Sequence, residues 1–139
     1  MSQENVEIVR RIDDAFRAGL GSGDFDVAFE TRAVAADFEW IAAAEMAEQR
    51  SYRGREEFVE FMRRWTEDFE GYSIQREALI DAWNDRVVGV FKQSATGKGS
   101  GAPIEGEYTL VYDLRDGQLV RIRAYLDRAE ALEAAGLSE

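Results

Sequence analysis

Residues 103–127 read PIEGEYTLVYDLRDGQLVRIRAYLD, and both arms of this stretch alternate. Ile104, Tyr108, Leu110, Tyr112 and Leu114 occupy even positions of the first arm, and Val120, Ile122, Ala124 and Leu126 those of the second. Odd positions carry Glu105, Glu107, Thr109 and Asp113, then Arg121, Arg123 and Tyr125. A period of two predicts two half-buried strands. Arg115-Asp116-Gly117 supplies the turn between them, with glycine where a positive φ is needed. A two-residue Asp-Gly turn would set Tyr112 beside Arg121 and mix the two faces. A three-residue loop with a glycine bulge pairs like with like, and it is the expected form. It leaves one face apolar and aromatic and sets Glu107 and Asp113 near Arg123 and Arg121 on the other.

Working outward, the chain of 139 residues suits one domain with a single core. Its 17 basic and 28 acidic residues give a net charge of −11, which opposes nucleic acids and anionic membrane surfaces. The absence of cysteine removes any disulfide framework. The N-terminal segment is charged and amphipathic, without an apolar signal region or spanning stretch, so a cytoplasmic protein is expected. The absence of histidine excludes Ser-His and Cys-His catalysis and histidine-based zinc sites. No metal and no cofactor is expected.

Ile8, Ile12, Phe16 and Leu20 recur every fourth position and predict a first helix over Gln3–Leu20, capped by Ser2 and ended by Gly19, Gly21 and Gly23. Asp24 offers a cap for a short second helix reaching about Arg32. Asp37–Ile41 reads as a strand and is followed by a loop up to Arg50. Tyr52-Arg53-Gly54 punctuates the chain before a third helix from about Arg55 to Phe69, whose stripe is Phe58, Phe61, Met62, Trp65 and Phe69. Tyr72–Trp83 and Arg86–Thr96 read as a hairpin turning at Asn84-Asp85, the first strand alternating poorly. Gly97-Lys98-Gly99-Ser100-Gly101 lacks the spacing and the following helix of a phosphate cradle and reads as a hairpin loop. Asp127-Arg128-Ala129-Glu130 opens a last helix that Gly136 stops.

This order implies an α+β fold in which a curved, mostly antiparallel sheet wraps three N-terminal helices. With Glu4-Asn5-Val6, Gly23-Asp24-Phe25-Asp26, Phe38-Glu39-Trp40, Tyr52-Arg53-Gly54, Asp116-Gly117 and the stretch 123–132, it resembles the SnoaL-like branch of the nuclear transport factor 2-like superfamily. The resemblance implies a cone with a small-molecule pocket between sheet and helices. It also implies relatives as different as polyketide cyclases, ketosteroid isomerase and proteins without catalysis, so the site must choose the function.

Carried over by this resemblance, the histidine and aspartate of SnoaL-like cyclases fall on Ile122 and Ala124. The oxyanion tyrosine, base and protonated aspartate of ketosteroid isomerase fall on Ile12, Ala42 and Leu110. All five positions are apolar here. The Asp-Arg-Asp chemistry of epoxide hydrolysis finds Asp113, Arg121 and Arg123, which the expected register puts on the outer face. The even-face residues of the hairpin are expected to converge on a cavity with Ile12, Phe16, Phe38, Trp40, Phe61 and Trp65. The expected ligand contacts are Trp40, Phe61, Trp65, Tyr108 and Tyr112; most of these pair a large apolar surface with a donor that needs a partner when buried. The resemblance further implies a homodimer through the outer sheet face. The leading expectation is a protein that binds a small apolar or aromatic molecule. The alternative is an acid-base enzyme of cyclase, isomerase or dehydratase type. Its agents would be Glu107, Arg123 and Tyr125, turned into the cavity by a bulge midway along the hairpin. A third reading is a partner-binding module.

Overall fold

The structure, a computed structural model, describes residues 2–22, 24, 33–43, 51–67 and 69–137. In chain order the elements are α1 (Ser2–Ser22), β1 (Val34–Ile41), β2 (Ser51–Arg53), α2 (Gly54–Glu67), β3 (Phe69–Trp83), β4 (Arg86–Gly97), β5 (Pro103–Arg115), β6 (Gln118–Tyr125) and α3 (Arg128–Ala134). The strands form one mixed, curved sheet in the order β2-β1-β6-β5-β4-β3. Only β1 runs parallel to its neighbour β6; every other pairing is antiparallel.

The α+β class agrees with the sequence, but three N-terminal helices are not all seen: among the described residues one helix is N-terminal, one follows the first two strands and one is C-terminal. The short helix expected after Asp24 lies outside the described residues. The first helix passes through Gly19 and Gly21 to Ser22, so these two glycines do not end it. Tyr52 and its neighbours, read as punctuation, form β2 against β1, with Trp40 opposite Tyr52. The first strand begins at Val34, where Leu119 N–H donates to the Ala33 carbonyl at 2.6 Å and draws the chain into the sheet three residues early.

The β5–β6 hairpin has the expected facing but reaches it another way. Asp116 and Gly117 both have left-handed φ, 52° and 78°, giving a two-residue turn with Arg115 opposite Gln118. The odd residue is absorbed further on: Asp113 pairs with Arg121 while Leu114 pairs with Leu119, so Val120 is the bulge. Leu119, not Val120, therefore faces the core and is 1% exposed. Beyond the bulge Tyr112 pairs with Ile122 and Leu110 with Ala124, like with like.

Register shifts at three points along β3 account for its poor alternation in the sequence. Its turn at Asn84 and Asp85 has the predicted place, and the Asp85 carboxylate accepts from Asn5 Nδ2 at 3.1 Å, which fastens the start of α1 to that turn.

Two apolar clusters lie on opposite sides of the sheet. The larger joins α1 and α2 to the inner face through Val9, Ile12, Phe58, Phe61, Phe91 and Tyr112. The smaller packs Ala131 and Ala135 of α3 against Val88 and Val111 on the outer face. Asp127 caps α3 by accepting from Ala129 N–H at 2.8 Å, and the Leu137 N–H closes its far end on the Leu132 carbonyl at 2.8 Å. No helix among the described residues is long and apolar enough to cross a membrane.

Candidate functional site

A cavity of about 60 Å³ lies between α1, α2 and the inner sheet face. The helices contribute Phe16, Phe58, Phe61 and Trp65 to its wall, and the sheet contributes Trp40, Tyr72, Tyr108 and Tyr112. Each strand side chain is there by alternation. Trp40 on β1 lies opposite Ile122 on β6, which lies opposite Tyr112 on β5, so the three form one row across the sheet. Adjacent strands are about 4.8 Å apart, which separates the Trp40 and Tyr112 backbones by roughly 10 Å. Tyr108 stands four residues from Tyr112 on the same face, roughly 14 Å along the strand.

The expected ligand contacts Trp40, Phe61, Trp65, Tyr108 and Tyr112 all border this cavity. Leu126 is 42% exposed and lies beyond β6. Ile12, Leu110 and Ile122, where the resemblance would place catalytic groups, are apolar wall, and Ala42 and Ala124 are core.

The polar groups of the wall divide by whether they have partners. The Tyr72 hydroxyl donates to Gln93 Oε1 at 2.6 Å. Trp40 Nε1 is buried and has no hydrogen-bond partner. The Tyr108 and Tyr112 rings are 6% and 2% exposed. Burial pushes both phenols well above their ordinary pKa, with the negative charge of Asp13 adding to it, so they remain neutral donors.

Among the described residues Asp13 is the one acidic side chain in the wall, and it is 6% exposed. Arg17 and Arg76 both pair with its Oδ2, at 3.1 and 2.8 Å, while Arg17 and Arg76 also reach Asp14 at 2.9 and 2.8 Å. Desolvation raises the Asp13 carboxyl above 3.8, outweighing the two guanidiniums that lower it. Sequence reasoning passed over this residue. A signal was present, because Asp13 lies four residues after Val9 and three before Phe16, inside the helical stripe.

Glu107, Arg123 and Tyr125 lie on the other side of the sheet. Glu107 pairs with Arg128 of α3 at 3.1 Å. Asp113 gathers Arg86, Arg121 and Arg123, with contacts of 3.0, 2.8 and 3.3 Å. The Asp113–Arg121 proximity is the one expected, whereas Glu107 reaches Arg128 and not Arg123. The bulge that sets the facing is at Val120, ahead of Arg121 and Arg123, and leaves both on the outer face. Among the described residues no group of three acidic side chains could hold a metal ion.

The SnoaL-like domain model matches residues 12–122. A comparison with the curated proteins finds no match. Among solved structures, the chain resembles a putative SnoaL-like polyketide cyclase from Jannaschia sp. CCS1, with 20% identity, a TM-score of 0.73, and 99% of this chain and 95% of that one covered. It resembles an NTF2-like protein from Burkholderia thailandensis E264 with 26% identity and a TM-score of 0.71, over 88% and 95% of the two chains. A hypothetical protein with a ketosteroid isomerase-like fold from Catenulispora acidiphila DSM 44928, in complex with trimethylamine, is similar at 17% identity and a TM-score of 0.68, over 91% and 92%.

Proposed function

Because the chain belongs to the SnoaL-like domain family of the nuclear transport factor 2-like superfamily, we propose that it is a small-molecule-binding protein whose ligand is mostly apolar or aromatic and sits against Trp40, Phe61, Trp65, Tyr108 and Tyr112. One observation carries this reading. Among the described residues the cavity wall is almost wholly apolar and aromatic, and its single carboxylate is already tied to two arginines.

Size constrains the ligand. A cavity of about 60 Å³ is smaller than the roughly 150 Å³ apolar cavity that holds benzene, and far below the ~300 Å³ at which drug-sized sites begin. A one-ring ligand therefore enters by displacing wall side chains, and its binding changes the near-ultraviolet circular dichroism of the tryptophans. Thermal unfolding against a panel of one- and two-ring aromatic compounds tests the reading. Ligands that bind the folded state raise the melting temperature with concentration. A panel with no stabilising member at millimolar concentration would defeat it.

A second reading rests on Asp13. Its carboxyl is desolvated, and its Oδ1 is outside both arginine pairs. With Tyr108 or Tyr112 as donor, it supplies a carboxylate and a phenol on the cavity side, where acid-base catalysis without histidine would need them. Exchange of the methyl protons of acetophenone in deuterated water, followed by NMR, separates the two readings. Protein-catalysed exchange that disappears in Asp13→Asn supports an enzyme; an uncatalysed rate supports binding alone.

The homodimer belongs to the same proposal. With α3 on the apolar part of the outer face, the surface left for a second copy is polar: Lys92, Ser94, Glu105 and Glu107 on β4 and β5. Sedimentation velocity at several salt concentrations checks it, and a monomer throughout removes it.

A further inference from the structure

We infer that the ligand is a neutral molecule carrying a hydrogen-bond-accepting oxygen, and that the Trp40 indole N–H is the donor that selects it. This rests on the binding reading above and adds the chemistry of the ligand's polar group. Trp40 is 7% exposed, borders the cavity, and its Nε1 has no partner. An indole N–H can only donate, and leaving such a donor buried and unmet is costly. Its neighbours on the sheet row are Tyr52, whose ring stacks on Phe61 with centroids 4.2 Å apart, and Ile122, which has no polar side-chain atom.

The rest of the wall points the same way. Trp65 is only half-buried, so its indole is not left desolvated without a partner as that of Trp40 is. The Tyr112 phenol, across Ile122 from Trp40, has no hydrogen bond among the described residues and offers a second donor. The phenols can donate or accept, whereas the Trp40 indole can only donate and its buried nitrogen has no partner. An anion is disfavoured, since among the described residues the one charge at the wall is Asp13, and the Arg17 and Arg76 guanidiniums behind it are balanced by Asp13 and Asp14. A carbonyl or ether oxygen satisfies the indole without bringing a charge out of water.

Acetophenone and α-methylstyrene test this directly, since they share a shape and differ in C=O against C=CH₂. Both are titrated into the protein while the indole N–H resonances are followed by ¹⁵N–¹H NMR, with Trp40→Phe assigning the Trp40 signal. Acetophenone is expected to bind about 5–10-fold tighter than α-methylstyrene and to move the Trp40 N–H downfield; in Trp40→Phe the preference falls to within about twofold. Equal binding of the pair by the wild-type protein, or a Trp40 resonance indifferent to acetophenone, overturns this inference and leaves the binding reading standing. Binding of neither compound overturns both. The wild-type comparison needs no variant, so it decides the question even where Trp40→Phe does not fold.

Discussion

At Asp13, burial and charge pull in opposite directions. Burial raises its carboxyl above 3.8, while Arg17 and Arg76 lower it by less. A carboxyl whose folded pKa exceeds its unfolded one binds more protons in the folded state between the two values. Stability therefore falls as the pH rises through that window and levels off above the folded pKa. Asp14, half exposed and with a lowered pKa, acts in the opposite sense, but solvent screens it. In urea unfolding from about pH 3.5 to 7, the stability of the wild type relative to Asp13→Asn should fall as the pH rises from 3.8; a rise would show that the arginine pairs govern the site. Tyr112→Phe makes a simpler case. It removes a phenol hydroxyl at the cavity wall that makes no side-chain hydrogen bond among the described residues, so the free protein should be unchanged or stabilised by up to about 1 kcal/mol in denaturant unfolding. The aromatic wall was legible in the sequence because Trp40, Trp65, Tyr108 and Tyr112 sit at helical or strand spacing. The pairing of Asp13 was not, because its partner Arg76 lies 63 residues away on β3.

The elements that shape the cavity depend on residues whose roles are set by neighbours on other strands. Gly89 on β4 lies opposite Leu110 on β5. A Cβ there would stand 2.7 Å from the Phe91 ring and 3.0 Å from the Tyr112 ring. Both rings belong to the inner core, so neither moves away freely. Gly89→Ala should cost about 1–3 kcal/mol by overpacking and weaken ligand binding by pushing Tyr112 into the cavity. Chemical denaturation and titration of the same variant check both effects. In the hairpin, Gly117→Ala should destabilise by about 1–2 kcal/mol because its φ of 78° disfavours a Cβ, with the thermal midpoint as readout. The strands of this hairpin were readable from alternation alone. The position of its bulge was not, since Asp-Gly accommodates either turn, and only the pairing of Leu114 with Leu119 shows that the extra residue is Val120. Tyr52 of β2 was equally hidden, because a three-residue strand has too few positions to show a period.

On the scale of the molecule, the sheet divides two apolar interiors that have different work to do. The inner one encloses the cavity and carries most of the aromatic surface, while the outer one consists of small residues of α3 on Val88 and Val111. Substitutions on the two sides should separate stability from binding. Phe61 borders the cavity and stacks on Tyr52, so Phe61→Ala should cost about 3–5 kcal/mol and also abolish ligand-induced stabilisation. Ala131, on the sheet-facing side of α3, is 0% exposed and has no part in the cavity. Ala131→Leu should cost about 1–3 kcal/mol by overpacking and leave the acetophenone dissociation constant within about twofold of wild type. Measuring both quantities on both variants tests the division. If Ala131→Leu weakened binding in proportion to its loss of stability, the sheet would be passing strain between its faces, and α3 would have to be counted among the elements that hold the cavity in shape.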